Sequence, residues 1–175
     1  GPKWQAPETE SSARRGTARI LFYPGCTTNR MAEETVAALS EALGKLDLDY
    51  AVYAEDTCCG FPLYELGQVQ QAKEAARETL RRIQEYEPEI LLTTCPACFK
   101  TFKYLLPGEM GLEVGFETQH ISEFLLPLVQ DKLGAMPATV TWHDPCVLGR
   151  HLGMYEEPRN LLTAIPDLRL VEMPA

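Results

Sequence analysis

The stretch Glu89-Ile-Leu-Leu-Thr-Thr-Cys95-Pro-Ala-Cys98 runs a short apolar segment straight into a Cys-x-x-Cys turn. A brief apolar, β-prone run closed by a turn signal reads as a buried strand. The same hand-over occurs twice upstream. Ala18-Arg-Ile-Leu-Phe-Tyr23 ends at Pro24-Gly25-Cys26, and Tyr50-Ala-Val-Tyr-Ala54 ends at Asp56-Thr57-Cys58-Cys59-Gly60. Between them lie helical patterns: Val36, Leu39 and Leu43 within residues 33–46, then Val69, Ala72, Ala76, Leu80 and Ile83 on one face of a longer helix. This alternation predicts an α/β fold with an open, mostly parallel sheet and helices on both faces. In such sheets the C-terminal strand ends share one edge, so Cys26, Cys58–Cys59 and Cys95 are expected to converge there.

Further along, residues 99–105 read as a short helix broken by Pro107-Gly108, followed by a weaker strand at 114–116 and a helix at 122–133. Ala138-Thr-Val-Thr-Trp142 is a fourth clear strand ending at His143-Asp144-Pro145-Cys146. Residues 149–165 are mostly helical, with Pro158 suited to a first turn, and Leu168-Arg-Leu-Val-Glu172 is the last strand. The chain also echoes itself. Thr17-Ala-Arg-Ile-Leu-Phe-Tyr-Pro-Gly-Cys26 aligns with Pro137-Ala-Thr-Val-Thr-Trp-His-Asp-Pro-Cys146, and Arg30 falls on Arg150 at the same spacing. The expected organisation is a lead-in over 1–16, with Gly1-Pro2 a remnant of an expression tag. A first cysteine-rich unit at 17–136 precedes the opening of a second at 137–175. A second Cys-Cys is expected just past Ala175, so the chain reads as a pseudo-repeat truncated at its C-terminus.

The 175 residues are 45% hydrophobic and 23% charged, with a net charge of −9, a balance suited to a globular domain. No basic face serves nucleic acid, and no apolar run reaches the length of a membrane span. A cytoplasmic location is expected from the lack of a signal pattern, with membrane association only through partners. Nothing matches a nucleotide-cradling glycine loop or a Ser/His/Asp triad.

Six cysteines are present. Thirty-one residues separate Cys26 from Cys58–Cys59, thirty-five separate Cys59 from Cys95, and two separate Cys95 from Cys98. Thiolates select zinc, copper(I) and iron–sulfur clusters. Five converging thiols exceed what a tetrahedral zinc or a four-cysteine cubane needs, and adjacent cysteines suit a larger cluster better than one small ion. A zinc site and a set of redox-inert buried thiols are the competing readings. Cys146 is either the first ligand of a second cluster or a lone buried thiol.

These motifs resemble those of a known family, the CCG or cysteine-rich domain of heterodisulfide reductase catalytic subunits. The domain also occurs in the iron–sulfur subunits of glycolate, lactate and anaerobic glycerol-3-phosphate dehydrogenases. The resemblance is carried by Tyr23-Pro-Gly-Cys26, Cys58-Cys-Gly60-Phe-Pro62, Cys95-Pro-Ala-Cys98, His143-Asp-Pro-Cys146-Val-Leu-Gly-Arg150 and Tyr155-Glu-Glu-Pro-Arg159. It implies a 4Fe-4S-type cluster on Cys26, Cys58, Cys59, Cys95 and Cys98, of the noncubane double kind in heterodisulfide reductases, where disulfide cleavage proceeds in one-electron steps. It further implies an oxidoreductase subunit exchanging electrons between a ferredoxin-like or flavoprotein partner and a thiol or disulfide substrate. The alternative is an electron relay for a flavin-dependent hydroxyacid or glycerol-3-phosphate dehydrogenase, and a zinc-stabilised scaffold is a third reading.

Beside Cys146, His143 and Asp144 read equally as proton carriers or as a helix-capping turn. Arg150 reads as a counter-charge for a cluster or as a partner of Glu156 or Glu157. Lys100 and Lys103 read as a solvated helix face, with offsetting of cluster charge as the sharper alternative. His120 and His151 read as structural.

Overall fold

The computed structural model describes residues 18–53, 55 and 57–173. The expected lead-in at 1–16 and the last two residues lie outside the described residues, as do Ala54 and Asp56. In chain order the elements are β1 Ile20–Tyr23, α1 Cys26–Met31, α2 Glu33–Lys45, β2 Tyr50–Val52, α3 Phe61–Glu65, α4 Val69–Gln84 and β3 Ile90–Thr93. Then come α5 Pro96–Lys100, a π-helical continuation Thr101–Glu109, β4 Glu117–His120, α6 Ile121–Val129, β5 Ala138–Val140, a π-turn Val147–His151, α7 Glu156–Thr163 and β6 Leu168–Leu170.

The first four strands form one parallel sheet in the order β2-β1-β3-β4. Every residue of β1 is buried, as befits a central strand covered on both faces. Alternate side chains serve opposite faces. Ile20, Phe22 and Leu92 pack with Leu39 and Leu43 of α2 and with Ile121, Phe124 and Leu125 of α6. Leu21, Tyr23, Ala51 and Leu91 pack with Ala72, Ala76, Leu80 and Ile83 of α4 and with Phe102, Leu105 and Leu106 of the π-helix. The two-sided α/β sheet read from the sequence is present. Val69, assigned to the same helical face, is half exposed at the first turn of α4.

Three expectations are corrected. Pro107-Gly108 does not break the helix after Cys98. The backbone widens into π geometry, and the Met110 N–H reaches back to the Leu105 carbonyl. Proline lacks the donor that an α-turn requires, and the wider turn accommodates that loss. The fourth strand of the sheet lies at Glu117–His120 rather than 114–116, because Gly115 turns the chain at φ +79° before pairing begins. After residue 137 the chain forms two further strands. β5 and β6 pair in parallel as a sheet of their own, and Ala138, Val140, Leu168 and Leu170 are all half-buried. The helix expected to reach residue 133 ends at Val129.

The sheet order positions the site. From β1 the chain crosses to β2 on one side, and from β2 to β3 on the other, so the direction of winding reverses between β1 and β3. Ligands of open parallel sheets settle at that reversal, beyond the carboxyl ends of the strands. Cys26 follows β1 and Cys95 follows β3, one on each side of it. Gly60, at φ +82°, ends the Cys58–Cys59 segment, and a Cβ there would lie 2.5 Å from the Ala72 carbonyl oxygen. That contact is with backbone and cannot be relieved by a rotamer. Gly60→Ala should therefore cost ~2 kcal/mol or more from strain and collision, read as a lower urea midpoint, whereas Gly111→Ala meets no neighbour and serves as the left-handed control.

Candidate cysteine cluster site

Three loops bring five thiols to the sheet edge. Cys26 opens α1, Cys58–Cys59 precede α3, and Cys95 stands at the N-cap of α5, whose third residue is Cys98. Cys59 and Cys98 are buried, and Cys26, Cys58 and Cys95 are half-buried. The Cys26 and Cys58 sulfurs lie 3.9 Å apart. From Cys58 the contacts pass to Cys59, then to Cys98, then to Cys95. Gly25 makes the approach of the first loop to the third possible. Its φ is +86°, and a Cβ there would lie 3.2 Å from both the Cys95 Cβ and the Cys98 sulfur.

The thiols do not titrate alike. Hydrogen bonds from the Cys58 and Cys98 thiols hold the Cys59 sulfur well below the ordinary thiol range, with help from the Phe61 N–H and the Thr101 hydroxyl. Cys58 and Cys98, as its donors and partly or wholly desolvated, are pushed up. Cys95 is lowered to about 7 by the Cys98 thiol and by backbone N–H groups of Cys98 and Ala97. Such donors favour the charged form of an acceptor. The single Cys98 proton can serve Cys59 or Cys95 at one time, so these hydrogen bonds favour thiolate, the form that binds metal, at one or the other.

Among the described residues no group of three or more thiols, imidazoles or carboxylates is gathered as a single metal ion requires. The five sulfurs form an extended chain across three loops. Soft donors spread in this way, with glycine at both points of closest backbone approach, fit an iron–sulfur cluster better than a tetrahedral zinc nest.

Buried hydroxyls tie the loops from behind. Tyr23 Oη donates to the Thr57 carbonyl at 3.1 Å, Tyr53 Oη is 2.7 Å from Thr57 Oγ1, and Thr79 Oγ1 donates to the Cys58 carbonyl at 2.8 Å. The Tyr23 hydroxyl is pushed up, first by burial and then by the surrounding thiols. Thr93 Oγ1 accepts the Cys95 N–H at 3.2 Å, and Thr94 Oγ1 donates to the Pro24 carbonyl at 3.3 Å. Sequence reading missed this layer. Thr79 carried a usable signal, since it is a polar residue at helical spacing from Ala72 and Ala76.

The chain matches the cysteine-rich domain model known as CCG over residues 20–103 and again over 140–175. It belongs to the CCG cysteine-rich domain family. Among the relatives of this CCG chain is a subunit of the dihydromethanophenazine:CoB–CoM heterodisulfide reductase of Methanosarcina acetivorans, 36% identical over 97% of this chain and 43% of that protein. An iron–sulfur protein of Methanocaldococcus jannaschii is 26% identical over 90% of this chain and 31% of its own length. Lactate utilization protein A of Geobacillus thermodenitrificans is 26% identical over 89% of this chain and 69% of its own length. The chain spans 43% of the length of the reductase subunit. No solved structure matches it.

Cys146, the sixth thiol, is exposed rather than buried, against the lone-buried-thiol reading. It stands beside the π-turn Val147–His151, whose Leu148 packs with Phe99 and Met154 in a small core of its own. Asp144 is engaged with Arg159, whose two terminal nitrogens reach its two oxygens at 2.7 and 2.9 Å, and it accepts from the Trp142 indole at 3.1 Å. Arg159 holds that carboxyl below its ordinary range. Neighbouring His143 and Arg150 are exposed, and the ion pairs on this side are made by Arg159, with Asp144 and Glu172. Lys100 does not simply face water. Its Nζ lies 3.0 Å from His151 Nδ1 and 5.3 Å above the Phe61 ring, while Lys103 covers Phe99 and pairs with Glu123.

Thr79→Val keeps shape but leaves the Cys58 carbonyl without its buried donor, which should cost ~1–3 kcal/mol in chemical denaturation; an unchanged midpoint would show that the bond contributes nothing. Burial pushes the His120 imidazole below its ordinary value. The unfolded chain therefore takes up a proton near the ordinary pKa of about 6.5 while the folded chain does not, so stability is full above that value and falls as pH drops below it. Urea midpoints measured on either side of it should show this loss in the parent protein and a smaller one in His120→Gln.

Proposed function

We propose that this chain is part of an iron–sulfur oxidoreductase subunit whose cluster is held by Cys26, Cys58, Cys59, Cys95 and Cys98. The convergence of five thiols from three loops at the carboxyl edge of one parallel sheet carries this reading. The family membership, and relatives named as a heterodisulfide reductase subunit and an iron–sulfur protein, support it. Bound there, a 4Fe-4S-type cluster supplies one-electron transfer. The chain's own residues supply the rest. The Cys59 and Cys95 sulfurs receive hydrogen bonds from neighbouring thiols and backbone N–H groups, Gly25 and Gly60 let the backbone close on the site, and the Tyr23, Tyr53 and Thr79 hydroxyls fix the Cys58–Cys59 loop.

The substrate of this reading is a thiol or disulfide, served by a ferredoxin-like or flavoprotein partner in a cytoplasmic complex. Likeness to lactate utilization protein A favours a second reading, an electron relay for a flavin-dependent hydroxyacid dehydrogenase. Residues 137–175 are the opening of a second cysteine-rich unit, with Cys146 as its first ligand. The second match to the family model supports this, and so does strand register. Ile20 pairs with Tyr50 and Val140 with Leu170, partners thirty residues apart in both cases.

Anaerobic reconstitution followed by iron, sulfide and zinc analysis tests the ligand set. A brown, iron- and sulfide-bearing protein with an electron paramagnetic signal in one redox state is expected, and Cys59→Ser should lose most of its iron. A colourless protein with stoichiometric zinc, or full iron in Cys59→Ser, would overturn the five-thiolate assignment. Cleavage of a disulfide by the full-length protein with an artificial donor separates the reductase from the relay.

A further inference from the structure

His120 ends β4 and caps α6, and it is buried. Its ring is satisfied on both sides by groups whose roles are fixed. The Ser122 backbone N–H, which can only donate, points at Nδ1 at 3.4 Å, and the Ser122 hydroxyl lies 2.8 Å from the same nitrogen. The Thr94 carbonyl, which can only accept, lies 3.2 Å from Nε2. The imidazole is therefore neutral with its proton on Nε2. Phe99 packs edge-on against it at a ring separation of 5.8 Å, and the Glu123 carboxylate accepts the His120 backbone N–H at 3.0 Å.

Thr94 is where the cysteine loops meet. Its carbonyl belongs to the peptide that enters Cys95, and its hydroxyl donates to Pro24, two residues before Cys26. We propose that His120 is a positioning residue for the cysteine cluster, holding the Thr94 carbonyl through Nε2–H and, by way of Thr94, the Cys95 and Cys26 loops together. Nothing in the five-cysteine pattern marks it, because it reaches the site from a fourth strand across a β3–β4 pairing. Groups that orient metal ligands through hydrogen bonds commonly set metal affinity and electronic properties, and His120 acts at one further remove, through the peptide that enters Cys95.

This inference rests on the five-thiolate reading, and two substitutions separate it from a purely structural role. His120→Asn keeps a good helix cap but cannot reach Thr94. His120→Gln places an amide N–H near the former Nε2 and weakens the cap. If His120 positions the cluster, the Asn variant melts near the parent yet binds iron ~10-fold less tightly with an altered paramagnetic spectrum, and the Gln variant restores both despite a lower melting temperature. An Asn variant with parental iron and spectrum overturns the proposal. Should the parent take up no iron, the five-thiolate reading fails separately. The alkylation rate of Cys95, resolved by mass spectrometry, then decides: a several-fold change in Asn but not in Gln supports positioning, and equal rates in all three overturn it.

Discussion

Hydrogen bonding of β1 in parallel to both β2 and β3 is the constraint on which the site depends. Parallel pairing makes three chain segments leave the sheet in one direction, and a reversal of winding between β1 and β3 leaves a crevice at that edge. Residues separated by more than thirty positions thereby become neighbours without long loops. An antiparallel partner would have carried one cysteine loop to the far edge.

Once the loops are gathered, close approach depends on what is missing from them as much as on what they carry. Gly25 lies over Cys95 and Cys98, and Gly60 against the Ala72 backbone. Behind this surface, hydroxyls and one imidazole satisfy the loop carbonyls that the core would otherwise strand. Tyr23, Tyr53, Thr79, Thr94 and His120 come from different parts of the fold, so the sulfurs are held by the core rather than by local loop stiffness.

Much of this was legible along the chain. Apolar runs that end in cysteine, alternating with 3.6-residue periodicity, are local patterns, and local pattern is enough to name a parallel sheet and to place the cysteines at its carboxyl edge. Legibility failed where long-range terms win. The π-helix through Pro107 answers to burial of Phe102, Leu105 and Leu106, which periodicity does not weigh against a proline. Asp144 read equally as a proton carrier or as part of a helix-capping turn, and its partner, Arg159, stands fifteen residues away on α7.

The sequence by itself determined the chemistry: thiol donors, their spacing, the glycines and the strand–helix alternation, since all of these are properties of residue type and local order. Tertiary structure alone decided which thiols are buried and which of them touch, because the burial and contacts of Cys58, Cys59, Cys95 and Cys98 arise only when the three loops are folded together. It also decided that His120, twenty-five residues beyond Cys95, stands directly behind the cysteine loops. A hydrogen bond across two strands obeys geometry in space, and separation along the chain carries no trace of it.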